Sequence, residues 1–303
     1  MNEFGLIERL RPLAMGRAEA QGFRNDAAVL DVPDGMELVV TTDCATSGVH
    51  FLPSQPPGSI AQKALRRNVS DLNAMGAQPL CYQMALLLPE MDQVFLDGFI
   101  AGLADDQKRY GLFLSGGDVS STSGPLSVVI TAFGLVEKGK AWSRSGAKAG
   151  DRLAIGGLVG DAACGLQALR EGLDEPALIA AYQTPHVHLV SGVAPNAAID
   201  ISDGLVQDVG HMCRASGLAA ELHIEDMQFS PAVQAWLDAG RVNYQGILSG
   251  GDDYVLALAI PPDAGLPQGF QVIGAFAEGA PEVRVFKGGK RLENIPGGWQ
   301  HFS

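Results

Sequence analysis

Six aspartates stand where runs of apolar or small residues break off. They are Asp26 in "RNDAAVL", Asp43 in "TTDCATSGVHF", Asp71 in "NVSDLNAMGA", Asp118 in "LSGGDVS", and Asp200 with Asp203 in "DISDGL". The chemistry open to such a set is cation binding. Buried carboxylates need partners, and two bare charges about 4 Å apart repel by about 4 kcal/mol at an effective dielectric of about 20. Several converging carboxylates therefore require cations. With hydroxyls and water as the other donors, and no His/Cys cluster to hand, magnesium is the natural ion. Each aspartate alone is equally an N-cap or turn residue, and Asp71 has a further local alternative in an i,i+4 ion pair with Arg67.

"DISDGL" is the densest stretch. Asp200 and Ser202 are two apart on a strand end, hence on one face. Asp203 then opens the next element, where main-chain N–H groups point outward. Three oxygen ligands and open amides within four residues suit a metal–phosphate contact; the alternative is a simple Ser202 helix cap. "LSGGD" occurs twice, at Leu114–Asp118 after a strand and at Leu248–Asp252 before one. Opposite contexts argue against a duplicated unit. Paired glycines instead allow a tight turn and a close backbone approach to a ligand in both places, one serving magnesium through Asp118 and one an acceptor through Asp252. Arg144 in "WSRSGAKAGD" is the best-placed phosphate-binding cation, although a linker would carry the same charge. His50 reads as a ligand or as a core histidine at a strand end. No G-x-x-x-x-G-K-[ST], protein-kinase signature or G-x-S-x-G is present, and "GGLVGDAACG" is only a loose glycine-rich cradle.

The elements that must carry these residues alternate without a strict βαβ rhythm, which favours an α+β fold. "MELVVTTD" reads as a strand ending at Asp43. "SIAQKALRRNVSDLNAMGA" reads as a helix with Ser59 as N-cap and a stripe of Ala61, Leu65, Val69, Leu72 and Met75. The small, basic, glycine-dotted "KGKAWSRSGAKAGDRL" marks a connection, giving an N-terminal domain over 1–137 and a C-terminal domain over 138–303. A chain of 303 residues is long enough for two cores. Its formal net charge of −13 excludes a general nucleic-acid binder. Cys44, Cys81, Cys164 and Cys213 form no C-x-x-C pair, which points away from zinc or disulfides and toward a reduced compartment. With no signal-peptide pattern and no membrane span, a soluble cytoplasmic protein is expected.

Taken in order, "FGLIERL", "NDAAVL", "TTDCATSGVHFLP", "NVSDLNAMGA", "LSGGDVS", "RSGAKAGD", "GDAACGL", "DISDGL", "LSGGDDYVL" and the final "WQHF" resemble the thiamine-monophosphate kinase family. That family belongs to the superfamily of aminoimidazole ribonucleotide synthetase and selenophosphate synthetase. The resemblance implies a two-domain aminoimidazole ribonucleotide synthetase-like fold and a homodimer in which N-terminal domains pair strands. It implies ATP- and magnesium-dependent transfer of the γ-phosphoryl group onto thiamine monophosphate, giving thiamine diphosphate, with the nucleotide near the domain junction. Carried over by residue, Asp26, Thr41, Thr42, Asp43, Asp71, Asp118, Asp200 and Asp203 hold several magnesium ions. Thr41, Gly117, Arg144 and Ser202 contact ATP. Asp118, Asp203 and Arg144 act in the transfer, while His50, Asp252 and Trp299 contact the acceptor, Trp299 by stacking.

Three segments depart from the family pattern. "GDDAA" reads "RNDAA", with Arg24 for a glycine and Asn25 for an aspartate. "GGEDYEL" reads "GGDDYVL", placing Asp252 where a glutamate is usual. "TPRV" reads "TPHV", with His186 for the arginine. A lost carboxylate weakens one metal site, and Arg24 offers a replacement charge. Two other readings stand beside the kinase. One is a related ATP-dependent enzyme acting on another small phosphate acceptor; the other is a catalytically degenerate sensor of nucleotide or thiamine phosphate.

Overall fold

The computed structural model describes residues 3–300, so His301 and Phe302 of "WQHF" lie outside the described residues. The chain divides into two compact units, Met1–Leu72 with Ala77–Ala141, and Asn73–Gly76 with Trp142–Ser303.

In the first unit α1 (Glu3–Leu10) and two 3-10 turns lead to β1 (Met36–Thr46), α2 (Pro57–Ala74), β2 (Gln78–Leu88), α3 (Gln93–Tyr110), β3 (Phe113–Ser121) and β4 (Ser127–Glu137). The strands form one sheet in the order β1-β4-β2-β3. Its β2–β3 pair is parallel, joined by the α3 crossover, and the other pairs are antiparallel. Alternation decides which face is covered: Tyr82, Met84 and Leu86 of β2 and Val128, Ile130 and Ala132 of β4 are buried, while the residues between them are only partly so. The helical stripe is real at Ala61, Leu65, Val69 and Leu72, all buried, but Met75 falls after the last turn and is exposed. Ser59 sits inside the first turn and donates to the Pro56 carbonyl at 2.8 Å. It is therefore not the N-cap, because Pro57 opens the helix two residues earlier.

α2 and α3 share a buried ion pair. Arg66 meets Asp106 through Nε–Oδ2 and Nη2–Oδ1 contacts of 2.7 Å each. Burial raises the Asp106 carboxyl above its ordinary range, against the pull of Arg66.

Two sequence expectations about strand ends are corrected here. β1 runs three residues past Asp43, so Asp43 lies within the strand. The first LSGGD is likewise no turn: Ser115, Gly116, Gly117 and Asp118 all lie in β3. Leu114 pairs with Tyr82 and Gly116 with Gln83, leaving Ser115 as the extra residue of a bulge. Gly117, at φ 152°, accommodates it, since a Cβ there would meet the Met84 carbonyl oxygen at 1.9 Å. The glycine pair serves a close strand approach.

The second unit contains β5 (Arg152–Gly156), α4 (Asp161–Glu171), α5 (Pro176–Gln183), β6 (Ala197–Ile201), α6 (Leu205–Ser216), β7 (Ala219–His223), α7 (Pro231–Asp238), α8 (Tyr244–Ser249), β8 (Val255–Ile260), β9 (Gln271–Ala277), β10 (Val283–Lys287) and β11 (Lys290–Arg291). Its seven-stranded mixed sheet has the order β11-β10-β7-β9-β5-β8-β6. The near-continuous apolar runs of β5, β6 and β8 fit strands covered on both faces, and every residue of β6 and β8 is buried. Both units mix helices and sheet as an α+β fold, and no helix of the described residues is long and apolar enough to cross a membrane.

Candidate active site

β1 sends alternate side chains to opposite faces of its sheet, and this divides the first unit's candidates. Thr41 and Asp43 face α2. Thr41 Oγ1 donates to Asp71 Oδ2 at 2.5 Å, and Asp43 Oδ1 accepts from Arg67 Nη2 at 3.2 Å. Arg67 also reaches the Cys44 carbonyl at 2.9 Å, so Arg67, Asp43 and β1 are tied together. Thr42 is on the other face, its Oγ1 2.9 Å from Thr131 Oγ1.

Asp118 shares the face of Thr42, since it pairs with Ala85, Ala85 with Val129, and Val129 with Cys44. It is exposed and accepts from Ser120 Oγ at 2.8 Å. Asp26, also exposed, lines the same cavity of about 720 Å³ as Asn25, Gly117, Asp118 and Thr131. The departure from "GDDAA" can now be placed. Asn25 lies in this cavity, its amide donating to Gln21. Arg24 instead lines a second pocket with Arg11 and Arg17, so its charge is not at the Asp26–Asp118 cavity. His50 closes the Thr46–Phe51 turn. Thr46 N–H donates to His50 Nδ1 at 3.0 Å, which leaves the ring proton of the neutral form on Nε2.

The second unit assembles its candidates more tightly, from three segments far apart in sequence. Asp200 is the penultimate residue of β6 and is 5% exposed. Beyond it, the Asp252 N–H donates to the Ser202 carbonyl at 2.8 Å and the Tyr254 N–H to the Ile201 carbonyl at 2.7 Å. The Trp299 N–H donates to the Asp203 carbonyl at 2.9 Å. Thus Asp200, Ser202, Asp203, Asp252 and Trp299 are brought to one end of one sheet. Asp252 and Tyr254 hold left-handed backbone at φ 72° and 51°, a strain of about 1–3 kcal/mol each that tends to collect at functional sites. Tyr254 Oη donates to Asp252 Oδ1 at 3.1 Å, so the carboxylate is aimed as well as strained. Trp299 is 54% exposed and offers a ring face to solvent.

Ser202 does not cap α6. One oxygen of Asp208 accepts the N–H groups of Ser202, Asp203 and Gly204 at 3.0, 2.9 and 3.2 Å. Burial pushes the Asp208 carboxyl up to about 7, against the three donors, and the Asp203 charge adds to the rise. The amides that looked available to a phosphate are therefore already satisfied from inside. Asp208→Ala leaves three donors without that acceptor; we expect urea denaturation to show a loss of about 1–3 kcal/mol. The glycine-rich "GGLVGDAACG" is engaged in the same way. Asp253, buried, takes the Gly160 N–H at 3.1 and 3.0 Å at the start of α4, so this amide of the loop serves packing.

Arg144 is exposed. Its charge is felt at His211, whose pKa is lowered by burial first, then by Arg214 and Arg144, with Asp203 opposing. Arg214 Nη2 lies 3.0 Å from His211 Nδ1. Arg214, in the last turn of α6, and Arg144 thus both bear on His211. Sequence reading placed Arg67 only as an i,i+4 partner of Asp71, and it missed Gln207, Asp208, Asp253 and Tyr254, although the last two lie within the "LSGGDDYVL" already singled out.

Among the described residues no three His, Cys, Asp or Glu side chains come together as a ready metal cage. The polar side chains lining the Asp26–Asp118 cavity are Asn25, Asp26, Gln83, Ser115, Asp118 and Thr131, each with an oxygen to offer, and no Lys, Arg or His lines it. Such a donor set fits a hard cation that keeps waters and takes substrate phosphates as its remaining ligands.

Known proteins place this arrangement. Residues 24–136 match the family described as AIR synthase related protein, N-terminal domain. A thiamine-monophosphate kinase of Caulobacter vibrioides is 38% identical over 99% of this chain and 90% of its own length. The crystal structure of thiamine-monophosphate kinase from Stenotrophomonas maltophilia is 33% identical, with a TM-score of 0.83 over 94% of this chain and 96% of that one. A structure described as AaThiL complexed with AMPPCP and TMP is 30% identical, with a TM-score of 0.78 over 99% and 97%. Identity of this extent over nearly the whole chain shows that the chain belongs to the thiamine-monophosphate kinase family.

Proposed function

We propose that this chain transfers the γ-phosphoryl group of ATP directly onto the phosphate of thiamine monophosphate, releasing thiamine diphosphate and ADP. The observation that carries the reading is likeness along the whole chain to a protein whose structure is described with both AMPPCP and TMP. Transfer between two phosphates asks for positioning and charge neutralisation, not a covalent nucleophile, and this chain offers oxygen donors and cations in that role.

Magnesium, when bound, neutralises the donor phosphates and the charge on the transferred group. Several ions are proposed: in the first unit Asp26, Thr42 and Asp118 would serve on one side of the sheet and Thr41, Asp43 and Asp71 on the other, and in the second unit Asp200 and Asp203 would serve. Asp43 and Asp71 already have Arg67 and Thr41 as partners, which keeps these carboxylates ordered. Gly117 and Thr41 serve ATP through close backbone approach and a hydroxyl, and Ser202 and Arg144 serve its phosphates. On the acceptor side, Asp252 and the exposed Trp299 contact thiamine monophosphate, Trp299 by stacking on its aromatic rings, with His50 donating from Nε2. The experiment is a coupled assay for ADP with chromatographic detection of thiamine diphosphate. One ADP per thiamine diphosphate formed supports the reading; ADP without that product overturns it.

A homodimer belongs to the same proposal. Val40, Thr42, Cys44, Val129 and Phe133 form one partly exposed, mainly apolar sheet face in the first unit, with Val40 53% exposed. Apolar faces of this kind mark interaction surfaces. Sedimentation equilibrium is expected to give twice the chain mass of 31.7 kDa, and Val40→Glu to return it to one; a wild type at one mass removes the proposal.

A further inference from the structure

We propose that Gln207 is a positioning residue that ties the segment carrying Trp299 to the Asp203 carboxylate. Gln207 stands in the first turn of α6, one position before Asp208. Its side-chain amide donates to Asp203 Oδ2 at 3.3 Å and to the Trp299 carbonyl at 2.8 Å. The Trp299 N–H donates back to the Asp203 carbonyl at 2.9 Å, so main chain and side chain close a loop around the three residues. Gly298 permits this approach. A Cβ there would come 2.1 Å from the Asp203 carbonyl oxygen and 2.9 Å from Gln207 Cβ.

Adjacent residues of one helix thus hold the same turn from two sides. Asp208 fixes the main chain of Ser202, Asp203 and Gly204 from the buried side. Gln207 fixes the rotation of the Asp203 carboxyl group and the position of the tail from the outer side. The inference rests on the proposed reaction, in which Trp299 stacks on the acceptor and Asp203 serves the phosphates. Under that reading the Gln207 amide, together with the Trp299 N–H bond to Asp203, holds the acceptor's rings at a set distance from the Asp203 carboxylate. An ordered tail also costs the acceptor less conformational entropy on binding.

Gln207→Glu keeps length and helix propensity but replaces the donor with a carboxylate facing two acceptors. Hydrogen exchange at the Trp299 amide is expected to accelerate roughly fivefold to tenfold. The KM for thiamine monophosphate is expected to rise about tenfold, with a far smaller change in the KM for ATP and no change in melting temperature. Gln207→Ala, which adds no charge, is expected to do the same more weakly. Unchanged Trp299 exchange in both variants overturns the tie. An equal fall in kcat and melting temperature without an acceptor KM change overturns it too, because a merely structural residue would behave so. Exchange is read whether or not the wild type turns over, so a wild type that leaves thiamine monophosphate unphosphorylated overturns the functional reading alone.

Discussion

Asp118→Ala lowers kcat for thiamine diphosphate formation roughly a thousandfold or more, while the protein stays folded. The first half follows from the role proposed for this carboxylate. Removing one fixed group that stabilises transition-state charge costs about 10²–10³ in rate, and a lost metal ligand also removes the ion's charge from the transferred group. The second half follows from its surroundings. Asp118 is exposed and its side chain accepts from Ser120, a neighbour two residues on, so no buried donor is stranded. Exposed substitutions away from caps and networks usually change stability by no more than about 0.5 kcal/mol. The check is turnover beside a thermal melt with and without magnesium. Normal turnover by a folded Asp118→Ala protein would remove Asp118 from the metal set.

The largest effect on stability is expected away from the site. Asp106→Ala removes the carboxylate that faces Arg66 between α2 and α3, where the two side chains are 6% and 1% exposed. Breaking a buried pair from one side costs about 3–5 kcal/mol. Replacing both partners is expected to behave differently: Arg66→Met with Asp106→Leu restores most of the loss, because the cost lies in a buried charge stripped of its carboxylate and not in the missing attraction. Urea denaturation of the two single variants and the double variant forms the cycle that decides this. A double variant as unstable as the sum of the singles would show that the pair itself holds the helices together.

Sequence and structure agree best where one period governs. The stripe of Ala61, Leu65, Val69 and Leu72 lies on a helix and is buried, since helical spacing and burial are set by the same geometry. The placement of "DISDGL" was legible for a related reason: Asp200 stands near the end of a strand with Ser202 and Asp203 just beyond it, and local order places them. Reading failed where a contact spans distance. Nothing near Ser202 says that Asp208 will take its amide, and nothing near Arg66 points forty residues on to Asp106. It failed again where one residue type has two uses. Gly116 and Gly117 read as a turn but make a bulged strand, because the lack of a Cβ serves close approach as well as tight turning.

The pleat of β1 teaches the same lesson at finer scale. "TTD" looks like one cluster of ligands, yet Thr41 and Asp43 meet Asp71 and Arg67 on one face while Thr42 meets Thr131 on the other. Arg24 shows it once more, reading as a replacement for a lost glycine-loop charge but lining a different pocket from Asp26. In both cases neighbours in sequence are separated by the direction in which their side chains leave the backbone.

The most direct test of the central claim is phosphorus NMR of the purified protein with ATP, magnesium and thiamine monophosphate. The account predicts the resonances of thiamine diphosphate and ADP rising in equal amounts while ATP and thiamine monophosphate fall together. ATP left intact, or consumed with thiamine monophosphate unchanged, would contradict it.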